Sequence, residues 1–131
     1  MICVGEGFTE PALYRIDKMK DIEIKSEPLD KRNADFDIVK FVQEYVYAFA
    51  GKTEEIIFHC DANILDDIID KFGTDIKITD LHDGELEVAV KATEKGIKFW
   101  LLQYLPSVEV VSPESLRDEI TKLIANNRYT K

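Results

Sequence analysis

The order of apolar patterns in the sequence predicts an α+β fold, and three observations carry that prediction. From residue 54 onward, stretches that alternate apolar and polar residues take turns with stretches whose apolar residues recur every three or four positions. Asp83-Gly84, set between two alternating stretches, is a strong hairpin signal. The resulting order between residues 54 and 111 is β-α-β-β-α-β, the ferredoxin-like sandwich pattern. Right-handed crossovers would then lay both helices on one face of a four-stranded antiparallel sheet.

Each element follows from its residues. Residues 54–60 (EEIIFHC) read as a strand. Asp61 is placed to cap a helix running to about Phe72, with Ile64, Leu65, Ile68, Ile69 and Phe72 inward, Asp66, Asp67 and Asp70 outward, and Gly73 as terminator. Residues 75–79 alternate, with Ile76 and Ile78 inward, and residues 85–92 return with Leu86, Val88 and Val90 inward. Thr93 caps a helix to about Tyr104, residues 108–111 form a strand, and Ser112 with Pro113 opens a last helix striped by Leu116, Ile120, Leu123 and Ile124. Two extra helices flank this unit. The first, over about 36–49, has two apolar stripes: Val39, Val42, Val46 and Phe49, then Ile38, Phe41, Tyr45 and Ala48. A helix so apolar around its circumference needs cover on two sides. At least one extra helix is therefore expected on the other sheet face or against a second chain.

Residues 1–33 read differently. Ile2 to Val4, residues 13–17 and Ile22 to Ile24 have the strand period, and residues 25–35, with Pro28, read as a linker. Three short strands without a covering helix bury little. The expected division is residues 1–33 as the tail of one domain and residues 34–131 as a second.

Composition bounds the function. The chain has 131 residues, 45% apolar and 33% charged, which suits a globular protein rather than a disordered or collagenous one. No apolar run approaches the roughly 18 residues a membrane helix needs, and the first residues lack a secretory pattern, so a cytoplasmic location is expected. Six basic and seven acidic residues up to Asn33 leave −1; 11 basic and 19 acidic residues after it leave −8. The long acidic part should repel nucleic acid. Cys3 and Cys60 cannot build a disulfide framework or a thiolate zinc site.

Catalytic patterns are missing from the sequence. It has no Gly-x-Ser-x-Gly elbow and no phosphate-cradling glycine loop, and its two histidines fall in no triad order. His59 and Cys60 are adjacent in a strand, so they face opposite ways and cannot chelate one metal. Asp66, Asp67 and Asp70 lie opposite a clean apolar stripe and read as a solvated face. No enzyme activity and no cofactor are expected. Arg15, Asp17 and Lys18 form the one suggestive polar group. As a strand, this stretch puts Arg15 and Asp17 on one face, with Lys18 starting a turn and Tyr14 packing inward. The plain reading is a surface ion pair of little energetic weight. The sharper reading is an arginine that holds phosphate through its forked donors, oriented by Asp17 and helped by Lys18.

Residues 14–22 (YRIDKMKDI) resemble the end of the WYL domain. Residues 54–58 (EEIIF), 69–73 (IDKFG), 99–104 (FWLLQY) and 108–117 (VEVVSPESLR) resemble, in order, the C-terminal extension of the same proteins, called WCX. The resemblance implies that residues 1–33 are the terminal strands of an incomplete Sm-like β-barrel and that residues 34–131 are a WCX-like domain. It further implies a bacterial transcriptional regulator in which the complete barrel senses a nucleotide or nucleic-acid effector. Such a protein would be a homodimer, contacting DNA only through an N-terminal winged helix-turn-helix that is missing from this sequence. Arg15, Asp17 and Lys18 are then the candidate ligand-binding residues. Phe41 and Tyr45 are the candidate interface residues, with an intramolecular cover for the sheet as the equal alternative. Two other classes remain open: an ACT-like module that binds a small metabolite, and a spacer that binds nothing.

Overall fold

The computed structural model describes residues 1–3, 11–28, 36–49 and 51–130. Strands β3 (Thr53–Asp61), β4 (Lys77–His82), β5 (Glu85–Thr93) and β6 (Val108–Ser112) form one sheet in the order β4-β5-β3-β6. Every neighbouring pair is antiparallel. This is the strand order that two interleaved β-α-β units generate, so the ferredoxin-like α+β prediction stands. The ribbon β1 (Ile2–Cys3) with β2 (Ala12–Leu13) is separate, and no barrel closes among the described residues.

Strand alternation selects the core. Ile56, Phe58 and Cys60 of β3, Val88, Val90 and Ala92 of β5 and Val110 of β6 are buried on one sheet face. Helix α2 (Leu65–Phe72) brings Ile68 and Phe72 to that face, α3 (Glu94–Gln103) brings Ile97, Trp100 and Leu101, and α4 (Glu114–Ala125) brings Leu116. Trp100 is the junction. Its ring lies 5.0 Å from Phe72 edge-on, 4.6 Å from Tyr104 and 6.0 Å from Phe58. Aromatic pairs at such spacings add about 0.5–1.5 kcal/mol each beyond area burial. Lys98 Nζ of α3 meets Glu119 Oε1 of α4 at 2.5 Å, tying the two helices side by side.

Several local expectations are corrected. The helix expected over 36–49 is only α1 (Ile38–Glu44), capped by the Asp37 carboxylate, which accepts the Lys40 N–H at 3.0 Å. A 3-10 turn, Val46–Ala48, follows, with Tyr47 in the left-handed region at φ 54. The break re-aims the chain so that Val46 enters the core while Ile38, Val39 and Val42 stay exposed. Neither flanking helix covers the second sheet face: α4 packs beside α3 and β6, and α1 packs on α2 and β5. The reason for α1 lies in the register. β4 begins opposite Ala89, so β5 beyond that point has no strand on its outer side, and α1 occupies the gap with Glu44 3.5 Å from Lys91. The strand expected over 13–17 is two residues of β2 and then a 3-10 turn, Ile16–Lys18. Ile22 to Ile24 lie in no strand, and Tyr14 is exposed. Ile78 belongs to the core face but sits on the outer strand and is 38% exposed. Asp61 and Ser112 cap nothing: a 3-10 turn, Ala62–Ile64, precedes α2, and Pro113 is the cap position of α4.

Gly96 fixes how the 36–49 segment seats. A methyl group there would overlap the Val46 carbonyl oxygen and crowd Thr93 Oγ1. The glycine lets a backbone cross the first turn of α3 at close range, where Thr93 Oγ1 also donates to the Phe49 carbonyl at 3.2 Å. Gly96→Ala should lower the unfolding free energy by about 2 kcal/mol, the usual cost of overpacking exceeding the alanine's helix preference. The midpoint of urea unfolding reads this directly.

Candidate functional site

The polar group at the beginning of the chain is brought together more closely than strand geometry would allow. Arg15 Nε donates to Asp17 Oδ1 at 3.0 Å and Nη2 to Asp17 Oδ2 at 2.6 Å, a bidentate pair. The 3-10 turn closes through the Lys18 N–H to the Arg15 carbonyl at 3.3 Å. Lys18 ends that turn, one residue past Asp17. All three are exposed. The pair raises the Arg15 pKa and lowers that of Asp17, each mainly through their shared hydrogen bonds. Two of the five guanidinium N–H donors are engaged, leaving three for an anion. What the arrangement offers chemically is an oriented, permanently charged fork, with an exposed lysine ending the same turn.

Phe41 and Tyr45 stack at 4.3 Å between ring centroids. Phe41 is 5% exposed within the single chain, so its apolar surface is used inside the molecule. The apolar residues that α1 leaves outward are Ile38, Val39 and Val42.

The sheet face away from the helices carries a cross-strand row, Glu87-His59-Glu109, through the pairs of His59 with Glu87 on β5 and with Glu109 on β6. His59 Nε2 is 3.1 Å from Glu87 Oε2, and Nδ1 is 4.0 Å from Glu85 Oε1. Glu109 is held by Arg117 Nη2 at 2.6 Å. His59 and Cys60 do point to opposite faces, Cys60 being buried in the core. Its thiol is pushed up to about 11, first by burial and then by Asp61 and Glu85, which leaves it a protonated, inert packing group. Among the described residues, no group of three or more His, Cys, Asp or Glu side chains is arranged to hold a metal ion. Asp66, Asp67 and Asp70 are exposed on α2 as a solvated face. A shallow apolar pocket of about 120 Å³ lies between α3, β6 and α4, lined by Leu101, Val110, Ile120 and Ile124 with Arg117 at its rim.

Sequence reasoning missed two polar ties. Arg117 Nη1 donates to the Val110 carbonyl at 2.6 Å, stapling α4 to β6. Gln103 Nε2 donates to the Tyr47 hydroxyl at 2.6 Å, and Lys71 lies 4.4 Å over the Tyr47 ring. The second left no sequence signal, because Tyr47 lies within a helical pattern.

The four-stranded sheet with its helices coincides with a family match. The WCX domain model matches residues 52–126, from the start of β3 to the end of α4. The chain belongs to the WCX domain family, a domain found in WYL-family regulators. No curated protein matches the chain. Among the described residues no helix is long and apolar enough to cross a membrane.

Two measurements check these placements. Phe41→Ala should cost about 3 kcal/mol of stability at concentrations where the chain is monomeric, as truncating a buried phenylalanine does; a loss seen only for an associated form would place Phe41 at an interface. Cys60 has a folded-state pKa above its unfolded value, so the stability tied to it is complete below about 9 and falls as pH rises toward about 11. Alkaline unfolding followed by circular dichroism should therefore show a loss between those values that Cys60→Ala reduces.

Proposed function

We propose that this chain is a non-catalytic effector-sensing and dimerisation region of a bacterial WYL-family transcriptional regulator. The observation that carries the reading is the WCX match across the whole ferredoxin-like unit. Three features support it. The part after Asn33 has a charge of −8, which suits contacts with protein rather than with a phosphate backbone. Cys60, the one thiol in the core, is inert, and the His59 imidazole is occupied by carboxylates rather than poised beside a nucleophile. The Arg15–Asp17 pair leaves guanidinium donors open to a phosphate group, with exposed Lys18 one residue on, in the stretch that resembles the end of a WYL domain.

In this reading the barrel binds a nucleotide or nucleic-acid effector, with Arg15 and Lys18 on the anion and Asp17 holding Arg15 in place. The WCX domain joins two subunits, and DNA contact belongs to a winged helix-turn-helix on the same polypeptide. Thermal-shift measurement on the full-length regulator tests it. Short oligonucleotides or nucleotides should stabilise the protein, and Arg15→Ala should weaken that binding at least tenfold, the size expected for a lost charge-assisted hydrogen bond. Equal stabilisation of both forms would sink the assignment of Arg15. Stabilisation of residues 34–131 by amino acids would point instead to an ACT-like metabolite-binding module.

A further inference from the structure

The two edges of the sheet are treated differently. The edge formed by β6 is guarded: α4 packs along it, Arg117 donates to its Val110 carbonyl, and the pairing with β3 shifts register between Ile57 and Phe58. The opposite edge, β4, is exposed at all six of its residues, and among the described residues β5 is its only strand partner. An open strand edge of this kind is a template for another strand. The same chain carries a matching stretch. Residues 20–25 (KDIEIK) alternate in the strand period yet lie in no described strand, and Ile22 and Ile24 are exposed.

We propose that β4 is the docking edge for residues 20–25 of a second copy of the chain, which add to the sheet as an antiparallel fifth strand. Charge and apolar complementarity set the register. Antiparallel pairing that puts Ile22 opposite Ile78 also puts Lys20 opposite Asp80 and Glu23 opposite Lys77 on β4, and carries Ile24 and Lys25 to Ile76 and Asp75, which precede the strand and would extend it. Residues directly opposite share a sheet face, so every charged pair is of opposite sign and both isoleucines cover isoleucines. The nearest slips that keep the same faces fail. A shift of two residues one way sets Lys25 against Lys77, and the other way sets Glu23 against Asp75. Asp80 has an oxygen for Lys20, because only Oδ1 accepts the His82 N–H, at 2.8 Å. Asp21 leaves its left-handed conformation, φ 52, for the extended one any residue adopts. Within one chain the strand-patterned stretch and the open edge are not paired with each other. Exchange between two copies fills both at once, and it does so reciprocally, as a two-fold dimer requires.

This inference rests on the dimeric reading above and names the surface that makes it. The test uses the 131-residue chain with Cys3→Ser, leaving the inert Cys60 in place. A tagged Ile22→Cys copy mixed with an untagged Ile78→Cys copy should form a disulfide-linked heterodimer. Ile22→Cys mixed with Asp80→Cys, one slip along, should form far less. In sedimentation, Glu23→Lys should weaken the dimer about tenfold across its two equivalent contacts, and adding Lys77→Glu should restore it. These positions are exposed, so folding survives the changes. A dimer indifferent to Glu23→Lys that yields no heterodimer would overturn the docking edge while leaving the dimeric reading intact. A chain that stays monomeric at every concentration would remove both. A disulfide closing within one chain in the Ile22→Cys, Ile78→Cys double variant would make the occupant the chain's own segment and overturn the exchange.

Discussion

The packing of Trp100 between Phe58 of the sheet and Phe72 of α2 is the constraint from which the rest of the molecule follows. It draws α2 and α3 onto one face of the sheet, and Leu116 draws α4 to the same side. A sheet covered on one face only must present a water-compatible surface on the other. Glu55, His59, Glu85, Glu87 and Lys91 of β3 and β5 obey this, alternating with buried Ile56, Phe58, Cys60, Val88 and Val90, while Ile57 and Ala89 are half-buried apolar residues on the same polar face. The one-sided core thus also decides where contacts with other molecules can form. They fall on the polar face, on the sheet edges and on the segments outside the sandwich.

The sandwich was legible because its signals are local and repeated. The period switches between two and three or four wherever strand and helix meet, and Asp83-Gly84 turns the hairpin in the left-handed region, φ 53 and 82, joined by His82 at φ 73. The elements that failed were those in which local pattern and tertiary demand disagree. Residues 36–49 have a helix pattern throughout, but a continuous helix cannot both fill the gap beside β5 and deliver Val46 to Gly96. The chain breaks at Tyr47 instead, where the Gln103 and Lys71 contacts hold the ring. The strand pattern at 13–17 failed for a simpler reason: among the described residues no strand pairs beyond Leu13, so past the Met1–Tyr14 hydrogen bonds the backbone turns locally and closes its own.

The candidate site shows the same division. Arg15 and Asp17 are two apart, so strand geometry put them on one face, and the observed turn still allows the bidentate pair. Lys18, expected to start a turn, instead ends the 3-10 turn that Ile16 begins. The use of Phe41 was undecidable in one dimension, because a stripe of helical period reads alike whether it faces its own chain or another. The close approach at Gly96 left no trace in sequence beyond a glycine in a helix, since its partner is a backbone atom fifty residues away.

Charge distribution gives the division of labour its physical sense. A domain of −8 repels duplex DNA at long range, and that repulsion weakens within about a Debye length of roughly 8 Å at physiological salt. In the proposed reading such a domain sits in a DNA-bound regulator held away from the phosphates. The near-neutral segment before it behaves differently: Arg15, Lys18 and Lys20 stand exposed at one end, within reach of an anion that the acidic sandwich would turn away. In the proposed reading, effector capture and subunit contact are separated because their electrostatic requirements conflict, and the net charge falls from −1 in residues 1–33 to −8 in residues 34–131. The same separation makes the edge of β4 suitable for contact between copies. Its alternating Lys77 and Asp80 discourage indiscriminate strand addition while admitting a partner strand whose charges run in the complementary order.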